Sequence, residues 1–252
     1  MIKLSINALI GLFKLASLGK QIGGLIHNIN GPLQNLGLDI EMANYSLKEG
    51  SGLGDTDSDN LSVRLKRMEE EFERLNQVIK TCSIKVEHDD DMQNDLINFN
   101  EYLEQELSFL DTNLYYKHNV KTTLTLKDNP PLAGNLPEYS FLALGWFLQI
   151  FIEEVEREKI NGITLKTEFN GSHLKLIIGT QGGSVSEKFI GLLNQEISYT
   201  EDLDVEGHEV GMLLVLIIYM TNGTTIKGAV GESGSDITII FPIRNKGAKE
   251  TI

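Results

Sequence analysis

The segment LASLGKQIGGLIHNINGPLQNL, Leu15 to Leu36, decides the reading of the whole chain. Its apolar residues recur at helical spacing: Leu18, Ile22, Leu25, Ile29 and Leu36 form one seam, and Ile26, Leu33 and Ile40 widen it on one side. This pattern predicts a long amphipathic helix from Leu15 to Leu47. At about 100° of turn per residue, His27 falls about 140–160° from the seam centre, on the solvent side. Lys20, Gly24, Gly31, Gln34 and Leu38 share that face, so the imidazole has a glycine about one turn away on either side. A glycine inside a helix costs about 0.5–1 kcal/mol relative to alanine, and conflicts of this kind cluster at functional sites. Pro32 adds a second conflict, because a proline within a helix leaves the Asn28 carbonyl without its usual partner and loosens the turn bearing His27. Spacing alone leaves two readings open: a surface histidine with incidental glycines, or a bare nucleophile on a surface that a partner can approach closely.

Beyond this helix, EGSGLGDTDSDN (Glu49 to Asn60) has turn and cap chemistry and reads as a loop, with Asp59 or Asn60 as the next cap. Leu61, Leu65, Met68, Phe72, Leu75, Ile79 and Cys82 then form a strict heptad seam flanked by Arg64, Arg67, Glu70 and Glu71. Two such helices joined by a loop predict an antiparallel hairpin that covers only part of its own apolar stripes. A second copy would complete a four-helix bundle, so a homodimer is expected. The alternative is that the hairpin packs on the C-terminal half of its own chain.

After KVEHDDD the periodicity changes. His88-Asp89-Asp90-Asp91 reads as a solvated linker rather than a cation site. A helix is expected over Leu96–Leu114, a strand over Val120–Leu126, a Pro-rich connection over Asn129–Pro137 and a helix over Tyr139–Glu156. Strands at Ile163–Phe169 and Leu174–Gly179 flank the turn signal Asn170-Gly171. A polar, acidic stretch follows, then an apolar helix over Gly211–Tyr219. Two last strands, Thr225–Val230 and Asp236–Phe241, flank a Gly231–Gly234 turn. The fold class is α+β, an N-terminal helical hairpin followed by an α/β sandwich. The domain reading is 1–86 for the hairpin, 93–245 for the sandwich and 246–252 for a tail.

Composition narrows the function. In 252 residues, 41% are hydrophobic and 23% charged, which is ordinary for a globular protein. The net charge of −14 repels phosphate backbones and anionic lipid, so nucleic acid is not an expected partner. One cysteine, Cys82, permits neither an internal disulfide nor a multi-cysteine metal site. The apolar run Met212–Met220 is about half the ~20 residues of a membrane span. Lys14 interrupts the apolar N-terminal stretch, which argues against a signal peptide. The expected location is cytoplasmic, with no metal held by this chain.

The segment around His27 resembles the dimerisation and phosphoacceptor helix of sensor histidine kinases. The match runs Ala16-Ser17-Leu18-Gly19, then His27-Asn28-Ile29-Asn30-Gly31-Pro32-Leu33. The resemblance continues through NFNEYLEQELSFLDTNLYYKHNVKTTLTL and EVGMLLVLIIYMTNGTTIKGAVGESGSDITIIFPI, which look like the start and the last helix and strands of the ATP-binding (Bergerat-like, GHKL) domain. It implies a dimeric helical module and a kinase-like α/β sandwich.

The resemblance breaks at the nucleotide boxes. Gln149 and Glu153 stand where the family carries the asparagines of its magnesium-holding helix. Thr180, in Gly179-Thr180-Gln181-Gly182-Gly183, stands where an aspartate reads the adenine amino group. Gly207-His208-Glu209-Val210-Gly211 stands for the phosphate-cradling glycine box, with Glu209 at its central glycine, and a carboxylate there repels a triphosphate. The lid stretch adds Glu187, Glu196, Glu201, Asp202, Asp204 and Glu206 against Lys188 alone. Asn28 replaces the acid that acts as base beside the histidine. The resemblance therefore implies weak or absent ATP binding. It points to a degenerate kinase working as a histidine phosphotransferase between His27 and receiver-domain aspartates, the magnesium ion being supplied by the receiver. Two other readings stay open: a non-catalytic pseudokinase scaffold that binds a response regulator, and an ATP-dependent kinase with unusual boxes.

Overall fold

The computed structural model describes residues 6–49, 55–90, 98–137, 139–195 and 210–243. The chain divides into two compact units, Leu18–Val86, and Glu87–Ile252 together with Met1–Ser17. The proposed tail at 246–252 lies outside the described residues.

The first unit is a hairpin formed by most of α1 (Ile6–Glu49) and of α2 (Asp55–Asp90). Asn35 Nδ2 donates to Glu71 Oε1 at 3.0 Å and Arg64 pairs with Asp39 at 3.4 Å, so residue numbers rise along one helix as they fall along the other. The helices are antiparallel, as the periodicity predicts. Both run further than expected. Asp59 and Asn60 lie inside α2 rather than capping it, because Asp55, Asp57 and Asp59 put acids into its first turns, where the helix dipole favours them. His88, Asp89 and Asp90 belong to the end of α2 and not to a linker; no proline or glycine between Asn60 and Asp90 stops the helix.

The hairpin covers one side of each seam. Leu25, Ile29 and Leu36 of α1 and Leu61, Met68 and Leu75 of α2 are partly covered. Ile22, Ile26, Leu33 and Ile40, with Leu65, Phe72 and Ile79, remain 47–59% exposed. The second set steps by sevens along both helices (26, 33, 40 and 65, 72, 79), so the uncovered surface is a pair of parallel apolar stripes.

The second unit is a sheet with helices. Its elements are α3 (Phe99–Leu110), α4 (Leu114–Asn119), β1 (Lys121–Thr125), α5 (Ser140–Arg157), β2 (Gly162–Phe169), β3 (His173–Gln181), α6 (Glu187–Asn194), α7 (Val210–Asn222), β4 (Thr225–Val230) and β5 (Ser235–Pro242). Strand order is β1-β2-β3-β5-β4, with β1 parallel to β2 and the other pairs antiparallel. Ile163, Leu165, Leu174, Leu176, Ile178, Ile237, Ile239 and Phe241 alternate along β2, β3 and β5 and bury one sheet face. They join Phe99, Leu103, Trp146, Phe147, Phe151, Val215 and Tyr219 of the helices in a single core. The expected α+β architecture is the one observed.

Three local readings need correction. The single helix expected over Leu96–Leu114 is two, because the Asn113 side chain accepts from the Tyr116 N–H at 2.9 Å and caps a new helix. The β2–β3 turn is centred on Gly171-Ser172 rather than Asn170-Gly171, since Phe169 pairs with Leu174 and the Asn170 N–H donates to the His173 carbonyl. Gly171 alone of the two central residues has positive φ (88°), the signature of a type II′ turn. The stretch read as polar and acidic contains α6, started by Ser186, whose hydroxyl accepts from the Phe189 N–H.

α6 closes the β4 edge of the sheet. Asn194 Nδ2 donates to the Gly228 carbonyl at 2.8 Å and Asn194 Oδ1 accepts the Gly228 N–H at 3.0 Å, so one side-chain amide pairs with the edge strand as a neighbouring strand would. A Cβ at Gly228 would lie 2.6 Å from Ile190 Cδ1 and 3.2 Å from Leu193 Cδ1. Gly228→Val is expected to destabilise by about 1–3 kcal/mol through overpacking. Thermal melting followed by circular dichroism checks this, and an unchanged midpoint would show that α6 is not packed on β4.

Candidate functional site: an exposed histidine on the helical hairpin

His27 lies in the middle of α1 and is exposed. Gly31 follows one turn later, and a Cβ built there meets nothing within 4 Å. Gly24, one turn before, is partly covered, as is Pro32, through which α1 continues. Gln34 is exposed and Leu38 is 61% exposed. Lys20 belongs to α1, and the placement of its side chain lies outside the described residues. The seam residues and the face turned to α2 lie away from His27 around the helix, so its ring is held by no core contact.

On the same side, α1 and α2 border a groove of about 540 Å³. Leu38 and Met42 form its apolar wall and Arg64, Arg67 and Arg74 its opposite rim. Its floor is a polar network in which Glu71 Oε1 accepts from Asn35 and from Arg74 (2.9 Å), while Asp39 holds Arg64. Leu38 is eleven residues from His27, about 16 Å along the axis at 1.5 Å per residue. The α1 face was legible in the sequence. The contribution of α2 was not, because the meeting of Arg64 with Asp39 and of Glu71 with Asn35 depends on the register of the hairpin.

The positions that the resemblance matches to nucleotide boxes lie in the second unit. Gln149 and Glu153 stand one turn apart on α5, each partly covered. Thr180 is buried at the end of β3, and its hydroxyl donates to the Gly183 carbonyl at 2.7 Å and accepts the Ser235 N–H at 2.7 Å. The Thr180 hydroxyl is thus committed to the chain's own backbone. Gly182 has φ 75°, and a Cβ there would collide with Asn161. Gly211 is buried in the first turn of α7. Gly207 and Glu209, with the acids from Glu196 to Glu206, lie outside the described residues. Beside Glu153 the described residues leave a cavity of about 30 Å³, room for about one water.

No protein-family model matches the chain, and no curated protein does. Solved structures do. A bacterial phosphotransferase is 17% identical over 95% of this chain and 98% of its own, with a TM-score of 0.47. The Acinetobacter baumannii histidine kinase AdeS is 15% identical over 87% of this chain and 98% of its own, with a TM-score of 0.41. The histidine kinase domain of the E. coli osmosensor EnvZ is 12% identical over 62% and 92%, with a TM-score of 0.44. At these identities the likeness is one of fold and assigns no residue a role.

Among the described residues no group of three or more His, Cys, Asp or Glu side chains is placed to hold a metal ion. No described helix is long and apolar enough to cross a membrane.

Proposed function

We propose that the chain is a histidine phosphotransferase that relays a phosphoryl group between His27 and the aspartates of response-regulator receiver domains. The observation that carries this reading is a pairing: an imidazole standing bare on a helix in one unit, and in the other unit a Thr180 hydroxyl already spent on Gly183 and Ser235. In the proposed transfer the Nε2 lone pair of His27 attacks phosphorus, the bond to the receiver's aspartyl oxygen breaks, and the carboxylate leaves. The reverse reaction on a second receiver regenerates the imidazole. Gly24 and Gly31 let the receiver's acidic pocket approach the ring. The groove walled by Leu38 and Met42 supports docking below it, with Gln34 and Lys20 on the same face. Two copies joined along the exposed stripes would present two such histidines.

The test is transfer of labelled phosphoryl from a phosphorylated receiver to this chain. Label on the chain is expected, with the acid lability of a phosphorus–nitrogen bond. Calorimetric titration with magnesium ATP separates the relay from a kinase. No heat of binding is expected up to millimolar nucleotide, and micromolar affinity would put the ATP-dependent reading first.

A further inference from the structure

Glu154 is a carboxylate in a core position. It is 1% exposed on α5, beside Phe151, Ile152 and Val155, which are fully buried. Carboxylates are buried to this degree only when donors surround them. One oxygen, Oε1, accepts both the backbone N–H of Ser186 at 2.9 Å and its hydroxyl at 2.5 Å. Ser186 is the N-cap of α6, so this oxygen lies at the positive end of that helix. The other oxygen, Oε2, stands 3.0 Å from the Arg157 guanidinium in an ion pair whose geometry makes no hydrogen bond, and it is buried without a donor. It adjoins the cavity of about 30 Å³ that Glu153, Arg157, Ser186 and Lys188 help to line.

We propose that the start of α6 is an oxyanion seat and that the chain fills it with its own carboxylate, Glu154. A helix N-terminus with the N–H and O–H of one residue as donors, and a guanidinium as counter-charge, suits a carboxylate or phosphate oxygen. What sets this apart from an ordinary helix cap is the occupant. The carboxylate comes from a different element and is buried, with Oε1 on both donors of Ser186 and Oε2 ion-paired to Arg157.

The consequence is a segment closed from within. Thr180 and Ser235 fix the chain after β3, with the Val185 N–H donating to Ser235 Oγ at 3.1 Å. Glu154 fixes the beginning of α6, and Asn194 fixes its end on Gly228. The run from β3 through α6 is therefore held at both ends and in its middle by the chain's own groups. This holds whether or not His27 carries phosphate.

The test is anion rescue in the full chain. Glu154→Ala should lower the melting midpoint by about 10 °C, as expected when a buried ion pair loses one partner. Formate or acetate at tens of millimolar should restore most of that loss, because an anion stabilises the fold only if it binds the native state. Chloride at equal ionic strength should not, and the wild type should gain nothing from either. An unchanged midpoint, or recovery indifferent to the anion, would overturn the proposal. If Glu154→Ala does not fold, the folded fraction recovered with formate gives the same reading. Glu154→Gln then decides independently: it keeps the shape and removes the charge, so melting like wild type would rule out an anion seat.

Discussion

Replacing His27 with Ala is expected to remove the proposed phosphoryl transfer from a phosphorylated receiver and to leave the helix content and melting of the chain unchanged. Both halves of this expectation follow from the geometry. The imidazole is exposed and makes no core contact, so its loss opens no cavity; alanine is also the better helix former, so stability should stay within about 0.5 kcal/mol. Transfer needs a nucleophilic nitrogen within reach of the phosphorus, and the glycines on either side of His27 offer no substitute. The readout is acid-labile label on the chain after mixing with receiver, beside receiver binding followed by calorimetry. Label retained on the variant would place the phosphoacceptor elsewhere. A wild-type chain that binds receiver and takes no label would favour the scaffold reading, and binding that survives His27→Ala would be expected there.

The second large effect concerns Phe72. It is 59% exposed in one chain at the middle of the α2 stripe, between Leu65 and Ile79 and across from the Ile26, Leu33 and Ile40 stripe of α1. A contiguous apolar surface of this kind marks an interaction site. Its heptad spacing on two antiparallel helices suits another such pair, and a second copy supplies one by symmetry. Phe72→Glu removes one buried aromatic per copy, about 3–6 kcal/mol for the two, and adds two carboxylates facing apolar side chains. The dimer constant is expected to fall by at least about 10²–10⁴. Sedimentation should show the wild type at twice the chain mass and the variant at the chain mass, with helix content retained. A monomeric wild type would sink the homodimer and leave the stripe to a different partner.

The groove further along α1 from His27 shows how much a sequence withholds. Leu38 and Gln34 were legible as neighbours of the histidine because one helix has one period. Glu71 was not, since its contact with Asn35 spans the hairpin and depends on register. Thr180 illustrates the same limit. Its place near the end of a strand is visible in the letters, whereas the use of its hydroxyl for Gly183 and Ser235 is not, because Ser235 arrives from the far end of the chain. The start of α6 was missed although its signal was present: Ser186 followed by Glu187 and an apolar Phe189, Ile190, Leu193 face is a helix start, hidden by the acids around it.

By itself the sequence determined what depends on local period and local chemistry. It set the two heptad seams, the solvent-facing position of His27, and the alternation of β2, β3 and β5. Side chains three, four and seven apart on a helix, or two apart on a strand, take their relation from backbone geometry alone. Only the tertiary structure decided the rest: the order of the strands, the closing of the β4 edge by Asn194, and the burial of Glu154 against Ser186 and Arg157. Those relations join residues distant in sequence, and no local propensity encodes which carboxylate is enclosed when helices and sheet pack into one core.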